Sequence, residues 1–175
     1  PELADYLTSI GLLLYHESRF DEAEIFLDRA LLIRNRVLAV DHPDIGSSMN
    51  NLAMVYLAQS KLDAAEPLFR KALSIQEKSL GVEHPSLSSA INNLAELYRA
   101  MHRLEKAEPL YKRALEVRQK FLGDEHVEVA EILFNLGQLY KENGRVAEAE
   151  LAFRQVLKIY EKFYGGDHPE IAEVL

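Results

Sequence analysis

The chain has 175 residues, 48% hydrophobic and 27% charged, with 8 Gly, 6 Pro and no Cys. This composition suits a folded protein, excludes disulfides, thiolate zinc sites and thiol nucleophiles, and offers no apolar stretch near the roughly 18 residues that span a bilayer. A formal net charge of −8 argues against a nucleic-acid backbone or an anionic membrane as partner. Freedom from cysteine also fits the cytoplasm, which is the expected location.

A run of residues returns every 42 positions: Asp41-His42-Pro43, Glu83-His84-Pro85, Glu125-His126-Val127 and Asp167-His168-Pro169. A fixed period of this size predicts stacked supersecondary units rather than one globular core. The first unit covers 1–42. Pro1 falls on the position of Pro43, and Phe20, Ala23, Leu27, Ala30 and Leu31 supply a second-helix stripe.

The second unit covers 43–84. Pro43 suits the first helical position, where its missing N–H had no partner anyway. Met49, Leu52, Ala53 and Tyr56 then form a buried face. A break is predicted at Gln59-Ser60-Lys61, and a second helix from about Leu62 to Leu80, stopped at Gly81 by a left-handed cap. Gly123 and Gly165 stand at the same place in later units, but Ala39 does in the first. The third unit, 85–126, repeats the pattern with Asn93-Leu94-Ala95, Tyr98, Leu104, Ala107, Tyr111, Ala114 and Leu115. In the fourth, 127–168, Asn143-Gly144 is the strongest turn signal of the chain, between Asn135-Leu136-Gly137, Tyr140 and Val146, Ala149, Phe153, Val156, Leu157. Residues 169–175 read as the start of a truncated fifth unit, and the turn from Ile171 to Leu175 offers a route to homo-association through exposed solenoid ends. Small residues such as Ala53, Ala65 and Ala72 let helices approach while Tyr56, Phe69 and Leu73 fill the gaps between them.

The pattern Leu52-Ala53-x-x-Tyr56 followed by Ala65, Phe69 and Ala72 resembles the tetratricopeptide repeat. The 42-residue period, the Asn-Asn-Leu-Ala motif (Asn50 to Ala53, Asn92 to Ala95) and the Leu-Gly-x-Glu-His-Pro joint (Leu80 to Pro85) resemble the repeats of kinesin light chains and nephrocystin. The resemblance implies an all-α solenoid of antiparallel helix pairs stacked in a right-handed superhelix. It also implies a concave groove, lined by the first (A) helix of each pair, that holds an extended peptide or helical segment of a protein partner.

Carried over position by position, the groove stripe is Ser47, Asn51, Met54 and Ala58, then Ser89, Asn93, Glu96 and Ala100, then Glu131, Asn135, Gln138 and Glu142. Asp5, Ser9, Leu12 and His16 are its first-unit counterparts, and Asn50, Leu57, Asn92, Arg99, Phe134 and Lys141 flank it. Spacings of i, i+4, i+7 and i+11 put each set on one helix face. Asn51, Asn93 and Asn135 are the leading site candidates, because an amide can bond a peptide N–H and C=O without reading the side chain. Their alternative role is to bridge neighbouring A helices.

The groove departs from two types that the family resemblance brings with it. Tetratricopeptide clamps for acidic tails add Lys or Arg where this chain has Ser47, Ser89 and Glu131, so a carboxylate lacks its charge-assisted partners. Kinesin light chains use a basic groove, whereas here Arg99 and Lys141 are offset by Glu96, Glu131 and Glu142.

No cofactor or metal is expected. His42, His84, His126 and His168 fall in successive layers about 8–10 Å apart, too far to share one ion. The chain has no Gly-x-Ser-x-Gly elbow and no Gly-rich phosphate loop. Glu66, Glu108 and Glu150 recur at one helix position, the mark of a shared solvated face. The expectation is a non-enzymatic scaffold or adaptor; the alternative is a regulatory or self-association arm of a larger signalling ATPase or transcription regulator.

Overall fold

The structure, a computed structural model, describes residues 2–165. It holds α1 (Glu2–His16), α2 (Phe20–Val37), α3 (Pro43–Ala58), α4 (Leu62–Leu80), α5 (Leu87–Ala100), α6 (Leu104–Leu122), α7 (Val127–Glu142) and α8 (Val146–Tyr164), with no strand among the described residues. Pro1, the Asp167-His168-Pro169 joint, the fifth unit and its Ile171–Leu175 contacts lie outside them.

Among the described residues the recurring histidines, His42, His84 and His126, are helix caps. Nδ1 of His42 accepts from the Asp44 N–H at 3.2 Å, and His126 takes the Glu128 N–H at the same distance, satisfying a donor that helix geometry leaves without a partner. His84 does likewise for Ser86, although α5 itself begins only at Leu87. At the other end of each A helix the chain turns through one left-handed residue: Ser18, Ser60, His102 or Gly144. Lys61 N–H reaches the Tyr56 carbonyl at 2.8 Å and Ser60 N–H reaches Leu57 at 2.9 Å, closing a Schellman motif. Arg19, Arg103 and Arg145 make the equivalent long bond.

The glycines that end α4, α6 and α8 correct one expectation. Gly81 has the positive φ foreseen, 87°, but its ψ of 152° is extended rather than left-handed helical. Gly123 and Gly165 match it. That region is open to glycine alone, and it sends the chain straight toward the next A helix. Where Ala39 replaces the glycine, α2 stops earlier, at Val37, through an extended Leu38.

Each A helix packs on its own B helix, and α3, α5 and α7 pack also on the B helix before them. Ala53, Ala65, Ala72, Ala95, Ala107 and Ala114 are fully buried at these crossings, beside Phe69 and Tyr111. The backbones of successive A helices also approach closely (α1 with α3, α3 with α5, α5 with α7), whereas those of α2, α4, α6 and α8 stand farther apart, Glu77 of α4 reaching Arg113 of α6 only through long side chains at 2.7 Å. Layers close on one side and splayed on the other make a curved stack, concave along the A helices.

Polar bridges cross the same layers. Glu66 and Glu108 do not belong to a solvated face: Glu66 accepts from Tyr98 Oη at 3.1 Å and pairs with Arg103 at 3.0 Å, and Glu108 meets Arg145 at 2.7 Å. Glu24 does the same for Lys61 at 2.7 Å. The next repeat partly covers these carboxylates by stacking on them, and of Glu66, Glu108 and Glu150 only Glu150 is exposed as expected.

Candidate functional site: the concave face of the A helices

The A helices place the predicted groove residues along the concave side. Asn51, Asn93, Asn135, Met54, Glu96, Gln138, Asn50, Asn92, Arg99 and Phe134 are half-buried, while Ser47, Ser89, Glu131 and Lys141 are exposed. None is part of the sealed core. Met54, Asn93, Glu96 and Arg99 come together with Leu57, Ala58, Ala100 and Tyr15 around one hollow of about 290 Å³. Tyr15 comes from α1 and was missed as a lining residue. Its signal lay in the period, since it stands 42 residues before Leu57 and 84 before Arg99.

The asparagines pair between layers. Asn93 Nδ2 donates to Asn50 Oδ1 at 3.2 Å, and Asn135 Nδ2 donates to Asn92 Oδ1 at 3.3 Å. Each donor amide keeps a second N–H and its own carbonyl, so bridging fixes the side chain without exhausting it. The Asn50 amide turns to Met54 Sδ at 3.7 Å. In α7 the corresponding place holds Phe134, whose ring lies 5.6 Å from that of Phe153.

Charge in the groove is neutralised where it stands. Arg99 pairs with Glu142 at 2.6 Å, across to α7, and lies 3.9 Å from Glu96. Its Nε and the Tyr111 hydroxyl are both buried without completing a hydrogen bond. Burial pushes the Tyr111 phenol up to about 12. Two further cations arrive from B helices, where the sequence reading did not look. Arg34 reaches Asp5 at 2.6 Å and also Thr8 and Ser48. Arg118 donates to Ser89 Oγ at 2.9 Å and pairs with Glu128. Ser89, read as a place without a cation, therefore has one delivered from α6. Lys141 is exposed at the groove rim. No group of three potential metal-ligating side chains exists among the described residues, and no helix there is long and apolar enough to cross a membrane.

Paired helices in register, small residues at the crossings and a concave A face define a helical-repeat solenoid. The sequence profile of the tetratricopeptide repeat matches residues 2–78 and 86–162. The chain belongs to the tetratricopeptide repeat family, whose repeats mediate protein–protein interaction. Among solved structures it is similar to the kinesin light chain nearly identical TPR-like repeats of Podosopora anserina, at 26% identity and a TM-score of 0.82, over 97% of this chain and 80% of that one. It is also similar to BtubC (BKLC) from P. vanneervenii, at 26% identity and a TM-score of 0.84, over 99% of this chain and 69% of that one. No curated protein matches it.

Proposed function

We propose that this chain is a non-enzymatic interaction scaffold that binds an extended peptide or a helical segment of a protein partner along the concave face. The observation that carries the reading is the hollow between α1, α3 and α5, where Asn93 presents a braced amide beside Met54, Leu57 and Tyr15. Amides held by a neighbour meet a peptide backbone at little entropic cost, and the apolar wall takes a side chain. The groove cations Arg34, Arg99 and Arg118 already have carboxylate partners. Preference for an acidic peptide is therefore no part of this reading; backbone contacts and one apolar side chain are.

A peptide-library screen supplies the ligand, and Asn93→Ala tests the site. Loss of a peptide group's partner weakens binding by about 1–3 kcal/mol, with the thermal midpoint checked in parallel because the bridge to Asn50 is lost as well. Lys112→Ala, on the convex side, leaves affinity unchanged. Binding depends weakly on salt, as neutral amides require. Unchanged affinity for Asn93→Ala with steep salt dependence contradicts the reading and moves the site to charged residues such as Arg99 and Lys141.

A further inference from the structure

The hollow between α1, α3 and α5 has two unlike walls. Met54, Leu57 and Ala58 of α3 make one side apolar, while Asn93, Glu96 and Arg99 of α5 make the other polar. The repeat itself does not require that polarity. One layer earlier Met54 and Leu57 stand at the places of Glu96 and Arg99, and Phe69 stands at the place of Tyr111. Phe69 and Tyr111 are equally buried, at 1% and 0% exposure, so the same packing is achieved without a hydroxyl. A guanidinium and a phenol drawn into such a layer cost free energy unless their hydrogen bonds are made.

Arg99 does not make them. Arg118 engages Ser88, Glu128 and Ser89 through its three nitrogens, and Arg34 reaches Asp5, Thr8 and Ser48. Arg99 completes one hydrogen bond only, from Nη1 to Glu142 at 2.6 Å. Its Nε and the nearby Tyr111 hydroxyl are buried without completing one. Its Nη2 stands 3.9 Å from Oε1 of Glu96, beyond hydrogen-bond length. The Arg99 and Glu96 side chains line the hollow and are 26% and 41% exposed. The α5 wall therefore presents a charged donor and a charged acceptor side by side, with neither satisfied by the other.

The complement of such a pair is a primary amide, whose carbonyl oxygen accepts from Arg99 while its NH₂ donates to Glu96. A carboxylate there meets Glu96 and Glu142, an ammonium meets Arg99, and a hydrocarbon leaves both groups unmet. In an extended ligand, side chains two residues apart lie on one face, so one can rest on the α3 wall and the other on the α5 wall. We propose that the hollow selects a partner peptide with glutamine or asparagine two residues from its apolar anchor, the amide bridging Arg99 and Glu96. This rests on the groove reading above and adds the identity of a second side chain to it.

The test is fluorescence anisotropy with the tightest peptide of the library screen, resynthesised with Gln, Glu, Lys or Leu at that position. The Gln form binds about ten-fold tighter than the other three, the scale of a hydrogen bond to a charged group. Glu96→Met combined with Arg99→Leu copies the wall of α3, which this repeat already tolerates, and makes the Gln and Leu forms bind alike. Asn93→Ala weakens all four forms by the same factor. A Glu, Lys or Leu form that binds as tightly as Gln overturns the proposal, as does a Gln preference that survives Glu96→Met with Arg99→Leu. Failure of this proposal alone leaves Asn93→Ala still weakening every form; failure of the groove reading shows as affinities that Asn93→Ala does not change. A screen that yields no ligand overturns both.

Discussion

Single residues decide how each helix pair turns, and the four turns are not equally comfortable. Ser18, Ser60 and His102 hold φ near 60°, and Gly144 takes 71° at the same place. A side chain in this region costs about 1–2 kcal/mol, against roughly 0.4–1 kcal/mol of added chain entropy for glycine. His102→Gly should therefore raise stability by roughly 0.5–1 kcal/mol. Gly144→Ala should lower it by about 1 kcal/mol through strain alone, since an added Cβ meets nothing within 4 Å. Denaturant unfolding of both variants checks the pair; equal and opposite neutrality would mean that the turns relax freely. Gly137 is a different case. A Cβ there would stand 2.7 Å from the Phe153 ring, so this glycine is kept for packing rather than for its dihedrals.

At the scale of helices, apolar and polar contacts alternate across every layer, and they were unequally legible in the sequence. The A and B helices, their breaks at Ser60 and Gly144 and the buried alanines could be read because a helix crossing demands a small residue at a fixed place in each unit. The polar bridges could not. Glu66 and Arg103 look like two surface charges 37 residues apart, and Asn50 and Asn93 stand 43 apart. Only the constancy of those separations, with 37 again for Glu24–Lys61 and Glu108–Arg145, betrays the pairing. Arg34 and Arg118 were missed because long side chains on B helices reach the groove rim from behind.

The bridges also set a pH dependence. Hydrogen bonds from Lys61 hold the Glu24 carboxyl below its usual range, and those from Lys112 and then Arg145 do so for Glu108. A depressed folded pKa contributes stability that is present above the ordinary Glu value near ~4.3 and is lost as pH falls through the folded value. Thermal stability should accordingly hold from neutral pH to about pH 5 and decline below it. Glu108→Gln should cost about 1 kcal/mol at pH 7 and flatten the acid limb. An acid limb identical to wild type would show that the Glu108 bridge contributes nothing.

For the whole molecule, curvature is the property that joins packing to function. A helices whose backbones approach and B helices whose backbones stand apart leave one concave face, and the residues on it are half-buried or exposed, near neutral and rich in amides. How far a segment runs along that face follows from what each layer presents. The layers of α3 and α5 offer paired asparagines and a hollow, whereas α7 adds to Asn135 the ring of Phe134 and the exposed Lys141. A ligand should therefore anchor on α1, α3 and α5 and reach α7 through an apolar side chain. Hydrogen exchange with a peptide from the library screen, compared with the free chain, is the most direct test of this account. It predicts slowed exchange along α1, α3 and α5, centred on Met54, Asn93 and Glu96, with α4 and α6 unchanged on the convex side. Protection confined to the B helices, or spread evenly over all eight, would contradict it.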